Sequence, residues 1–304
     1  MLESLELFQG DATPAQARVY ARLPRKQEIG GAKIQFTGHL IGPSCDFAHT
    51  LPARIPFVQR RSDDRLLAEA IIPDPCFWTP DLPFLYRAEL ELRAGGNTLA
   101  AIYRTVGIRR LGASAKSLLF EGKRFVLRGV RRKFEISNLE SQIDRDAAFA
   151  RESWTAIVVA SPDDELCSFA GRRGILLVAD LTHREPACDT SFEHLRRLAS
   201  WPAVGIAVMA TEADLRGNIH DAAPNLLLAQ QVRAGEPLDL KPWAQLALTE
   251  SSNPADFVRT AAQCRSPLIA CRNGQPDSLS AGRLACDTLQ RDLAPYGDFA
   301  GYIV

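Results

Sequence analysis

The sequence predicts a two-part chain: a β-sandwich over residues 1–112 and a reduced (β/α)8 TIM barrel over residues 113–304. Three observations carry that expectation. Up to about residue 110, short apolar runs with a period of two are separated by Pro, Gly, Asn and Asp, the rhythm of antiparallel strands and turns. After Gly112, apolar runs alternate with amphipathic stretches of helical period, as in successive βα units. Finally, 304 residues, 46% of them hydrophobic and 24% charged, suffice for two domains with separate cores.

In the first part, strands are predicted at Ala17–Leu23, Lys33–Ile41, Leu66–Ile72, Leu85–Arg93 and Thr98–Gly107. In the second, they are predicted at Phe125–Val130, Ala156–Ala160, Ile175–Asp180, Val204–Ala210, Leu226–Gln231, Ala244–Leu248, Leu268–Cys271 and Phe299–Val304. Between them, Gln142–Ser153, Asp164–Arg173, Ser191–Ala199, Pro254–Arg265 and Ser280–Leu293 read as helices with Ser, Asp or Asn-Pro starts. The barrel is reduced because Phe125 to Val304 is short for a fold that usually takes about 200–250 residues. Only Val232–Pro242 separates the fifth and sixth strands, too little for a helix, and the chain stops on the eighth strand. The apolar flank left there is expected to be covered by the sandwich or by a second copy, as a homodimer.

Lys+Arg and Asp+Glu both total 36, so bulk charge gives no reason to expect nucleic acid or an anionic membrane. The run Arg131-Arg132-Lys133 reads as a solvated loop. Seven cysteines without a CxxC pair indicate neither a disulfide framework nor a zinc knuckle. His183, His194 and His220 lack metal-site spacing, and Gly171–Gly174 reads as a helix end rather than a phosphate loop, so no metal or cofactor is expected. Cys271 lacks a histidine base and reads as a buried strand residue, and Trp154, Trp201 and Trp243 fall at strand starts, where floor packing is expected. With no eighteen-residue apolar stretch and no leader pattern, the chain reads as soluble, cytoplasmic and reduced; an excised piece of a longer protein would show the same features.

Four segments are specific. They are Cys76–Arg93 (CFWTPDLPFLYRAELELR), Phe120–Val130 (FEGKRFVLRGV), Trp201–Glu212 (WPAVGIAVMATE) and Ser266–Gly274 (SPLIACRNG). Together they resemble family 2 of the glycoside hydrolases, the β-galactosidase and β-glucuronidase group. The first matches its immunoglobulin-like domain, the second its link into the barrel, the third its acid/base strand and the fourth its nucleophile strand. The resemblance implies an immunoglobulin-like sandwich before a TIM barrel, and carbohydrate as the ligand class. It places Glu212 at the acid/base position and Arg272 at the nucleophile position. Positions that would grip sugar or place the nucleophile carry Val158, Ser161, Thr211, Arg131 and Lys133 instead.

A retaining glycosidase needs two carboxyl groups about 5–5.5 Å apart. Arg272 offers no lone pair and cannot attack an anomeric carbon. The favoured expectation is therefore an inactive site in which Glu212 and Arg272 neutralise one another, leaving a module that binds carbohydrate or a protein. The alternative is an active glycosidase in which Glu250 or Asp180, each ending a predicted strand, serves as the second carboxylate opposite Glu212.

Overall fold

The computed structural model describes residues 5–23, 28–29, 32–60, 66–134, 138–183, 188–213 and 219–304. The chain divides into two compact units, Met1–Arg109 and Arg110–Val304. The first contains β1 (Glu6–Ala12), β2 (Gln16–Leu23), β3 (Glu28–Ile29), β4 (Ala32–Ser44), β5 (Ala53–Pro56), β6 (Val58–Arg60), β7 (Leu66–Pro73), β8 (Leu85–Ala94) and β9 (Asn97–Val106). One antiparallel sheet runs β1-β2-β7-β6; the other runs β3-β4-β8-β9, with β5 added beside β4. Ala17, Val19, Ala21 and Leu23 of β2 alternate inward, as do Tyr86, Ala88, Leu90 and Leu92 of β8, and they share one core.

All five strands predicted for the sandwich are present; β1, β3, β5 and β6 were not foreseen. The reason for β1 is chemical. Its Gln9 is buried and breaks the apolar alternation, because its side chain both donates to Arg109 O (2.7 Å) and accepts from Arg109 N (2.7 Å). The Cys76–Arg93 corner is structural, as read: Trp78 is fully buried, its N–H donates to Ile108 O (2.6 Å), and the Tyr86 hydroxyl accepts from Cys76 N (2.9 Å).

The second unit begins with a meander of β10 (Leu111–Ser114), β11 (Ser117–Phe120) and β12 (Lys123–Phe125). Then follow β13 (Leu127–Arg131), α1 (Leu139–Ser153), β14 (Thr155–Ala160), α2 (Asp164–Arg173), β15 (Leu177–Asp180), α3 (Cys188–Ala199), β16 (Val204–Met209) and α4 (Ile219–Ala222). The chain continues through β17 (Leu227–Arg233), β18 (Leu246–Glu250), α5 (Pro254–Gln263), β19 (Leu268–Cys271), α6 (Leu279–Leu293) and β20 (Gly301–Ile303). Strands β13 to β20 pair in sequence, all parallel, and β20 returns to β13 to close the barrel. The meander closes its N-terminal end: Leu111 reaches the backbone of Gly205 at the start of β16, and Phe120 and Phe125 pack around Trp154.

Helix starts follow the predicted chemistry. Asp163, Asn253 and Ser278 each accept a backbone N–H of the following turn, at 2.8, 3.1 and 3.1 Å. Gly174 takes the left-handed conformation that ends α2, so Gly171–Gly174 is a helix terminus. No helix forms between β17 and β18. A loop takes its place, held by the buried Gln230, which donates to Asp239 O (2.9 Å) and accepts from Lys241 N (2.7 Å). The four-residue α4 was not anticipated.

The expectation of an uncovered eighth strand is corrected. Every residue of β20 is buried, because α6 packs across both β13 and β20. On α6, the Cys286 thiol lies 3.4 Å from Gly129 O and 3.5 Å from Tyr302 O. Arg128 on β13 donates to Asp287 of the same helix (2.9 Å). The helix that follows the seventh strand thus covers the eighth strand and the seam with the first.

Candidate functional site at the barrel mouth

Strand pleating decides which side chains reach the mouth. On β13, Val130 faces α6, since a Cβ on Gly282 of that helix would meet it. Gly129 and Arg131 therefore face inward, and Gly129 lies beside the side chains of Val158 and Ile303. From β13 the Arg131 guanidinium spans to the sixth strand, where its Nη2 donates to Glu250 Oε2 at 2.9 Å. Cys271, the register partner of Glu250, places its buried thiol 3.8 Å from the same oxygen. Asp180 ends β15 with its Oδ1 accepting from Thr182 N (3.1 Å) and Thr182 Oγ1 (2.6 Å).

The electrostatics agree with that placement. Burial opposes the charge on Arg131, but Cys271, Glu250 and Asp180 together outweigh it and raise its pKa. Burial pushes the Cys271 thiol up to about 12, against the pull of Arg131, so it is no ready nucleophile. Its reading as a buried strand residue holds.

Glu212 and Arg272 each take another ion partner, which corrects the expected Glu212–Arg272 ion pair. Glu212 lies in the turn after β16, its side chain 63% exposed, and accepts from Arg233 of the neighbouring strand at 2.6 Å. Arg272 follows the inward-facing Cys271, so the pleat turns it outward, where its Nη2 lies 3.3 Å from Asp292 of α6. Each charge finds its partner on the next element around the ring rather than across the mouth. Thr211, beside Glu212, donates its hydroxyl to Gln231 O (2.7 Å).

The solvated reading of Arg131-Arg132-Lys133 is likewise corrected. Arg131 is committed to Glu250, Arg132 lies 3.2 Å from the buried Asp146 of α1, and Lys133 is exposed. Arg131 is the site residue that charge pattern missed. The signal that would have found it is period two, counted from the Gly129 of Arg-Gly-Val-Arg. Trp154 packs on the floor, Trp243 is buried, and Trp201 Nε1 donates to Asp164 (2.8 Å). Among the described residues, no three His, Cys, Asp or Glu side chains form a cluster suited to a metal ion. No helix among them is long and apolar enough to cross a membrane.

Residues 12–109 match the family model described as glycosyl hydrolases family 2. No curated protein matches the sequence. Among solved structures, β-glucuronidase 2 of Bacteroides uniformis, covalently bound to cyclophellitol-6-carboxylate aziridine, is 15% identical with a TM-score of 0.65, covering 99% of this chain and 45% of that one. A family 2 member from Bacteroides cellulosilyticus is 14% identical with the same TM-score, covering 100% and 43%. The Bifidobacterium dentium β-glucuronidase complexed with coumarin-3-O-glucuronide is 14% identical with a TM-score of 0.65, covering 99% and 59%. The chain thus spans less than two thirds of the length of these structures, and at this identity the likeness is one of fold. By sequence over its sandwich and by fold over both units, the chain is similar to the family 2 glycoside hydrolases.

Proposed function

We propose that the chain is a non-hydrolytic member of this architecture that binds carbohydrate at the barrel mouth. The observation that carries the reading is the disposition of charge at the strand ends. The position that the resemblance matches to the nucleophile carries Arg272, which pairs with Asp292, and Arg131 pairs with Glu250 at the strand ends. Glu212 is exposed and spends its carboxylate on Arg233, whereas a proton donor in a glycosidase works from a carboxyl aimed at the bond it cleaves.

The alternative, in which Glu212 works with Glu250 or Asp180, requires Glu212 to leave Arg233 and a second carboxylate to face it. The test is hydrolysis of aryl β-glycosides, with the glucuronide, galactoside and glucoside assayed beside a Glu212→Gln control. The expected result is no turnover above buffer for either protein. Turnover that disappears in Glu212→Gln would overturn the proposal.

A further inference from the structure

An asparagine side chain is most easily lost as ammonia when glycine follows it, because a backbone without a Cβ lets the next nitrogen swing onto the asparagine Cγ. Of the six asparagines in the chain, Asn273 alone precedes a glycine. The others precede Thr98, Leu139, Ile219, Leu226 and Pro254. Pro254 has no N–H with which to attack, and Asn253 is committed as the cap of α5, its Oδ1 accepting from Ala255 N at 3.1 Å.

The fold leaves Asn273 and Gly274 open to this chemistry. They follow the C-terminal end of β19 at the barrel mouth, in a stretch, residues 272–276, that is neither helix nor strand. The N–H of Arg272 still donates to Ile303 O (2.9 Å), and the strand pairing ends there. Asn273 is exposed and Gly274 half-buried. Among the described residues, neither the Asn273 carboxamide nor the Gly274 N–H has a hydrogen-bond partner. No bond therefore has to break before the nitrogen turns toward Cγ. Space is also present, since a Cβ placed on Gly274 would meet only Val304 Cβ, at 4.0 Å.

We propose that Asn273 is a site of spontaneous covalent modification, converted to aspartate and isoaspartate by attack of the Gly274 nitrogen on its side chain. Hydroxide takes the proton of the Gly274 N–H. The nitrogen then bonds Asn273 Cγ, the Cγ–Nδ2 bond breaks, and Nδ2 leaves as ammonia with a proton from water. One water opens the resulting cyclic imide. Addition at Cγ restores the ordinary backbone with an aspartate side chain. Addition at the main-chain carbonyl leaves the backbone running through Cγ, as isoaspartate. Either product places a new negative charge at the mouth, next in sequence to Arg272, whose Nη2 lies 3.3 Å from Asp292. The reaction needs no ligand, so it stands apart from the carbohydrate reading.

The test is peptide mapping by mass spectrometry of the full chain, incubated in heavy-oxygen water at mildly alkaline and at mildly acidic pH. Residue 273 is expected to take up label at least tenfold faster than any other asparagine, and faster in the alkaline sample. The isoaspartate product is read by an isoaspartate-specific carboxyl methyltransferase. Gly274→Ala is expected to slow labelling at least tenfold; the 4.0 Å clearance admits its methyl group, and an unchanged melting curve checks the fold. Labelling of residue 273 no faster than of Asn97 or Asn138, both exposed, would overturn the proposal. Equal rates in Gly274→Ala would remove the Gly274 nitrogen as the attacking group. Reaction in a short peptide spanning residues 269–278, with none in the folded chain, would show that the loop holds the amide shut and would sink the inference.

Discussion

Arg131 holds Glu250 by a charge-assisted bond across the barrel mouth. Removing it leaves Glu250, whose side chain is only 28% exposed, without its charge-assisted bond. Arg131→Ala is therefore expected to destabilise the protein by about 1–3 kcal/mol at neutral pH, measured by urea denaturation. Glu212 makes the contrasting case. It and Arg233 are each more than 60% exposed, so their pair is screened and entropically costly. Glu212→Gln is expected to change stability by less than about 0.5 kcal/mol in the same measurement. Glu212 was visible in the sequence as a charge after a strand end. That Arg131 points inward was not, because one step along a pleated strand reverses the direction of a side chain.

At the scale of the element, α6 is fixed by a close approach to β13. A Cβ on Gly282 would lie 2.5 and 2.7 Å from the two γ-carbons of Val130, which is fully buried and has nowhere to move. Helix propensity alone would reward Gly282→Ala by up to about 1 kcal/mol. Overpacking is expected to win, with a net loss of about 1–3 kcal/mol by thermal or urea unfolding. In the sandwich, Glu69 on β7 is 3% exposed, yet it faces away from the core. Burial pushes its pKa up, but Arg60, Arg18 and the Tyr20 hydroxyl pull harder, and the net shift is downward. A carboxyl depressed in the folded state stabilises fully above its unfolded pKa, and that contribution is lost as pH falls through the folded value. Stability contributed by Glu69 should therefore fall away below about pH 4. Glu69→Gln is expected to flatten that acid limb in a series of melts across pH 2–6; an unchanged limb would remove Glu69 from this role.

At the scale of the whole molecule, the barrel closes through a seam that tolerates no side chain. A Cβ on Gly301 of β20 would lie 2.6 Å from Leu127 Cβ and 3.0 Å from Leu127 O on β13. Gly301→Val is expected to prevent closure, seen as loss of soluble protein or of cooperative unfolding, whereas a merely local strain would leave cooperativity intact. Behind the seam, Phe257 of α5 meets Phe299 edge-to-face at 6.5 Å between ring centroids, and both are buried. That contact fills the flank beside the displaced α6. Among the described residues, eight parallel strands therefore close with six helices, one of them a single turn.

The sequence by itself determined the two rhythms, the order of the barrel strands, most helix starts and the resemblance over the sandwich. Each of these rests on neighbours within a few residues: alternation, 3.6-residue period, a capping side chain, a Pro-containing corner. It could not determine where α6 would lie, because its apolar face fits either the gap beside β19 or the seam at β13, and only packing across the closed barrel chooses. Nor could it determine that Glu212 pairs with Arg233, Arg272 with Asp292 and Arg131 with Glu250. Charges choose partners by distance in space, and those distances exist only once the last strand has met the first.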